Sequence, residues 1–138
     1  MNKEFVPYKI AKELKELGFT ETCLGYYEHG NVDGEWHLRC PKMMIQEETD
    51  DTTILAPLRQ QAFRWLMDKH RYIHSIEDIG VCAGDSEWGH RFRFSYWKLL
   101  DIYNALYIDD TPLGYLTYED AQDRCLEQII KKIRKNKK

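Results

Sequence analysis

The chain contains no C-x-x-C pair, no G-x-G-x-x-G or Gly-Lys-Ser/Thr phosphate loop, no apolar run approaching the roughly 20 residues of a membrane span, and no large surplus of one charge. Each absence removes a class of function. Without a phosphate loop, the glycine-bounded stretch GDSEWG at 84–89 indicates no nucleotide site. A net charge of −3 supplies no global attraction to nucleic acid or to anionic lipid. The opening stretch MNKEFVPYKIAKELKEL breaks any apolar core with charges every few residues, so no signal peptide and no membrane partner are expected. Cys23, Cys40, Cys82 and Cys125 stand far apart, and reduced thiols in a cytoplasm are the expectation. No cofactor is expected either.

Aromatic residues are plentiful, and they are the unusual part of the composition. Nine Tyr, five Phe and four Trp supply large buried areas, and Tyr and Trp also favour interfaces. At 138 residues the chain fits a single domain, 1–138, able to bury a core without disulfide or metal help. Pro7 suits the first turn of a helix; Ile10, Ala11, Leu14 and Leu17 recur on one face, and Gly18 stops it. ETCLGYYE at 21–28 and EWHLR at 35–39, joined through NVDG, read as a β-hairpin that Pro41 ends. The acidic cluster Glu47 to Asp51 reads as a surface loop leading into the next helix.

That helix spans Pro57 to Arg71. At 100° per residue, Leu58, Ala62, Trp65 and Leu66 share a sector widened by Phe63 and Met67, with Gln60, Gln61, Arg64, Asp68 and Arg71 opposite. Tyr72 to Ile79 reads as a strand, Gly80 to Gly89 as a loop, and Arg91 to Trp97 as a second strand whose Phe92, Phe94 and Tyr96 alternate with Arg91, Arg93, Ser95 and Trp97. Lys98 to Ile108 fits strand and short helix equally, and Asp109-Asp110-Thr111-Pro112 marks a turn. The final helix covers Tyr118 to Arg134, capped by Thr117, with Ala121, Cys125, Leu126, Ile129, Ile130 and Ile133 as its apolar stripe. The expected fold is α+β, a small antiparallel sheet packed with about three helices in the order α-β-β-α-β-β-α.

Three phrases carry a resemblance: FVPYKIAKELKELGF followed by a Cys and a Gly-Tyr-Tyr run, LAPLRQQAFRW, and the closing T-Y-E-D-A-x-x-x-C-L-x-x-I-I-K-K. Together they resemble a family of small hypothetical proteins carried by phages and prophages of gut bacteria. The resemblance implies a mobile-element origin and a bacterial host cytoplasm, and it transfers no catalytic residue. It does not extend to Glu47–Asp51 or to GVCAGDSEWGHRF.

Several residue groups suggest chemistry. Cys23, His29, His37 and Cys40 have the donor types of tetrahedral zinc, but their spacing misses the paired knuckle, and His37 and Cys40 differ by an odd number on a strand; no metal is expected there. Cys82 with nearby His90 is the one Cys-His pair with loop freedom, and an enzyme reading rests on it alone. Glu77-Asp78 and Asp109-Asp110 are adjacent acids that a strand or turn splays apart. Arg91, Arg93 and Trp97 on one strand face, together with Lys131, Lys132 and Arg134 of the basic tail, offer cations and a stacking surface for nucleic acid. The leading expectation is a non-catalytic domain that binds another protein, and nucleic-acid binding is the alternative.

Overall fold

The computed structural model describes residues 4–30, 33–40, 53–83, 88–98, 107–108, 114–115 and 117–136, with the side chains of 79–83, 88–90 and 107–108 left aside. Pro41, Glu47–Asp51, Asp109–Pro112 and most of the Lys98–Ile108 stretch lie outside these residues. The fold is α+β: α1 (Tyr8–Glu16), β1 (Gly25–His29), β2 (Trp36–Arg39), β3 (Thr53–Ala56), α2 (Arg59–His70), β4 (Tyr72–Ala83), β5 (Trp88–Lys98), β6 (Tyr107–Ile108) and α3 (Tyr118–Asn136). The strands form two antiparallel sheets rather than one, ordered β2-β1-β3 and β4-β5-β6. The chain separates into two compact units, Met1–Ala62 and Phe63–Lys138, and α2 contributes residues to both.

In the first unit, Pro7 provides the extended residue before α1, and Ile10, Ala11 and Leu14 are its buried stripe. The helix closes with paired bonds, Gly18 N–H to Lys15 O and Phe19 N–H to Leu14 O, both at 3.0 Å. That geometry needs a left-handed residue, and Gly18 takes it at φ +100° without a Cβ penalty. Phe5 bridges to Leu58, and Val6 N–H donates to Pro57 O at 3.0 Å, which ties the segment before α1 to the segment before α2.

Around β3 and α2 two details depart from the sequence reading. Thr53–Ala56, expected as the end of a loop, is strand β3, with Ile54 and Leu55 both buried. A four-residue strand covered on both faces shows no alternation, so its pattern carries no period to detect. Helix α2 starts at Arg59 rather than Pro57, and its face differs in detail: Ala62, Phe63, Trp65 and Leu66 are buried, whereas Met67 is 39% exposed and Arg59 is buried. Arg71 lies beyond the helix at φ 63°, with its N–H bonded to Met67 O at 3.0 Å, as an αL terminus normally filled by glycine.

The second unit is built on a long β4–β5 ribbon. The expected loop from Gly80 to Gly89 is largely strand, since Gly80 pairs with Arg91, Val81 with His90, Cys82 with Gly89 and Ala83 with Trp88. The register shifts between Asp78 and Gly80, so a bulge absorbs the glycine-rich sequence and the ladder continues beyond it. On one face, Tyr72, His74 and Ile76 lie opposite Lys98, Tyr96 and Phe94. Helix α3 covers that face. Near its start Tyr118 meets Phe92 edge-on at 5.8 Å between ring centroids, and near its end Asn136 hydrogen-bonds the Tyr72 hydroxyl, so the helix runs parallel to β5. Ala121, Cys125, Leu126, Ile129, Ile130 and Ile133 are its buried residues, joined by Gln122. Thr117 caps it, Oγ1 accepting the Asp120 N–H at 3.0 Å. Among the described residues no helix is long and apolar enough to cross a membrane.

Candidate interaction surface

Alternation along the first sheet puts Tyr27 and His29 of β1 on the same face as Trp36 and Leu38 of β2, because His29 pairs with Trp36 and Tyr27 with Leu38. Tyr8, at the first turn of α1, reaches this face. Its ring stacks on Trp36 at 4.7 Å and 17°, and meets Tyr27 edge-on at 5.8 Å and 77°. His29 meets Trp36 edge-on at 5.0 Å. The Tyr27 hydroxyl donates to Val6 O at 2.6 Å, which holds its ring in place. All four rings are half-buried, so the cluster keeps aromatic surface in contact with water.

The hairpin turn beside the cluster is tightly built. Asp33 Oδ1 accepts the Glu35 N–H at 3.0 Å, and Oδ2 accepts from His37 Nε2 at 2.9 Å. The Glu35 N–H first, and then the His37 bond, hold the Asp33 carboxyl below its ordinary range. Gly30 N–H donates to Glu35 O at 2.7 Å, and a Cβ at Gly30 would run into the Asp33 carboxylate. Gly34 takes φ +71°. The turn therefore fixes the register that presents Trp36 and His29 side by side.

The zinc-type donors are not gathered. His29 and His37 lie on opposite faces of the hairpin, since His37 pairs with Glu28 and His29 with Trp36. Cys23 is fully buried with Sγ bonded to Glu21 O at 3.3 Å, Cys40 is exposed past the end of β2, and among the described residues no group of three or more His, Cys, Asp or Glu could hold a metal ion. Cys125 is buried in the α3 stripe. Cys82 and His90 sit at adjacent steps of the β4–β5 ladder, paired with Gly89 and Val81 respectively. Glu77 pairs with Arg93 and Asp78 with Phe92, which places these two acids on opposite faces.

Arg91, Arg93 and Trp97 do share a face of β5, the one turned away from α3. Arg91 is only 7% exposed, and the Nε atoms of Arg91 and Arg93 are both buried without a hydrogen bond. Lys131 and Lys132 are exposed on α3, with Arg134 half-buried, on the other side of the ribbon. The strand trio and the helix cations are thus separated by the sheet. Comparison with protein-family models, curated proteins and solved structures finds no match to this chain.

The polar arc of α2 divides too. Gln60 and Arg64 are exposed, whereas Gln61 Nε2 donates to Thr22 O at 2.7 Å, so Gln61 is a fastening within the first unit. The Tyr8, Tyr27, His29 and Trp36 cluster was invisible as a group in the sequence. Its members come from three elements, and only the hairpin register and the placement of α1 bring them together. The aromatic excess announced the kind of surface without its address.

Proposed function

We propose that this chain is an accessory protein of a phage or prophage that works in the bacterial host cytoplasm by binding another protein, with no catalysis of its own. The half-buried cluster of Tyr8, Tyr27, His29 and Trp36 is the observation that supports this reading. Aromatic rings held rigidly at a surface lose little conformational entropy on binding and desolvate large areas, the properties of interface anchors. Cys23, Cys40 and Cys125 stand outside any disulfide, which suits a reducing compartment. The mobile-element origin rests on the sequence resemblance.

The test is affinity capture from host cells followed by direct binding measurements with the recovered partner. Tyr8→Ala and Trp36→Ala are expected to weaken binding by about 30-fold or more, corresponding to about 2 kcal/mol for a buried aromatic anchor. Lys131→Glu/Lys132→Glu, on α3 of the second unit, is expected to leave binding within about twofold. Equal binding by the wild type and a folded Trp36→Ala variant would refute the assignment. Salt-dependent binding of single-stranded oligonucleotides, abolished by Arg93→Ala, would favour nucleic acid as the partner instead.

A further inference from the structure

The second unit holds a half-buried titratable group, His74. Phe63, the first residue of the second unit, lies flat against the His74 imidazole at 3.5 Å between centroids and 10° from parallel. Among the described residues no hydrogen bond or ion pair holds the His74 imidazole. Burial alone pushes its pKa down to about 4. On the same ribbon face, β4 presents Tyr72 and Ile76, while β5 presents Tyr96 directly opposite, Phe94, and Lys98, whose Nζ lies 5.9 Å over the Tyr72 ring. The buried stripe of α3 adds Gln122 and Cys125 to otherwise apolar side chains; of the titratable groups of α2 on this stretch, Arg64, Asp68 and Lys69 are exposed and His70 is half-buried, edge-on to Trp65 at 5.1 Å. Asp78, the carboxylate farther along the face, sits opposite Phe92, four residues from His74. Among the residues named on this face, no carboxylate stands directly opposite or beside the imidazole, and Lys98 adds a cation to the same face.

We propose that the Phe63–His74 stack is an acid-opened latch, in which protonation of the half-buried imidazole releases the Phe63–His70 part of α2 from β4 while α3 remains on the ribbon. A neutral imidazole stacks on phenyl as an aromatic ring. An imidazolium gains some attraction from the ring quadrupole but must give up its water to stay. Opening restores that water, so protons bind the open form more tightly. Helix α3 is held by a mostly apolar buried stripe from Ala121 to Ile133, and the Thr117 cap steadies its first turn.

Sign and size follow by linkage. The open form takes up its proton near 6.5 and the closed form near 4, so the latch is fully closed above 6.5 and loosens as pH falls toward 4. Between pH 7 and pH 5 the opening constant rises about 20-fold in the ideal case and about tenfold after allowance for partial solvent access. Hydrogen exchange of the 63–70 amides in the full chain, corrected for the intrinsic pH dependence, reads this directly. The expected result is a roughly tenfold loss of protection at pH 5, absent in His74→Phe and His74→Gln, with the central α3 amides unchanged. Protection independent of pH, or the same loss in a folded His74→Phe protein, would overturn the proposal. An NMR titration of wild-type His74 decides the matter even if neither variant folds: a midpoint below about 5 supports the latch, and one near 6.5 refutes it.

Discussion

Gly25→Ala adds a single methyl group at the start of the central strand of the first sheet, and its cost can be worked from the structure. An alanine Cβ there would lie 2.9 Å from Phe5 Cε1, 3.2 Å from Phe5 Cζ and 3.1 Å from the carbonyl oxygen of Arg39. Comfortable carbon contacts begin at about 3.5 Å, so the ring is about half an ångström too close. Phe5 is 5% exposed and its backbone is bridged to Leu58, while the Arg39 oxygen belongs to the backbone of the neighbouring strand. Neither obstacle is the loose end of a flexible side chain. Overpacking of this kind costs about 1–3 kcal/mol, and the stiffer unfolded chain of the alanine variant returns about 0.4–1 kcal/mol. The net expectation is a loss of about 1–2 kcal/mol, which lowers the urea midpoint by roughly 0.5–1 M at an ordinary slope. Phe5→Leu in the same chain should recover part of the loss, giving a coupling of about 1 kcal/mol in a double-mutant cycle. A Gly25→Ala protein as stable as the wild type, with unchanged exchange of the β1 amides, would refute the close approach of Phe5 to β1.

Arg71→Gly is expected to stabilise the chain by up to about 1 kcal/mol in thermal or urea unfolding, because glycine removes the cost of the left-handed residue that ends α2. Thr117→Ala should cost about 1 kcal/mol through loss of the bond to Asp120, with Thr117→Ser close to wild type; a silent Thr117→Ala would mean that the cap is not formed. Gln61→Ala should destabilise by about 0.5–1.5 kcal/mol, whereas Gln60→Ala and Arg64→Ala on the exposed arc should stay within about 0.5 kcal/mol. Equal effects at positions 60 and 61 would exclude the Thr22 fastening.

Helices were the most legible part of this protein. In α1 and α3 the apolar stripe repeats over several turns, and Pro7, Gly18 and Thr117 mark their ends by backbone chemistry that acts within a few residues. The hairpin of β1 and β2 was legible for a related reason, since Asp33 and Gly34 suit a tight reversal wherever it occurs. Strand β3 and the far halves of β4 and β5 were not. β3 is too short to show a period, and the glycines of 80–89 signal a turn locally, while the ladder pairs Gly80 with Arg91 and Gly89 with Cys82 as strand.

For the candidate sites, what mattered lay between elements. From composition and order alone come the α+β class, the absence of phosphate-loop and paired-cysteine motifs, and the aromatic surplus, because these depend on which residues are present and how they repeat. Only tertiary structure put Tyr8 on Trp36, separated His29 from His37, buried Arg91, set the α3 cations across the ribbon from β5, and laid Phe63 on His74. Each of these depends on strand register or helix docking. A one-residue change of register reverses the face of every side chain on a strand, and helix docking is decided by the summed packing of distant segments, which no local window of sequence contains.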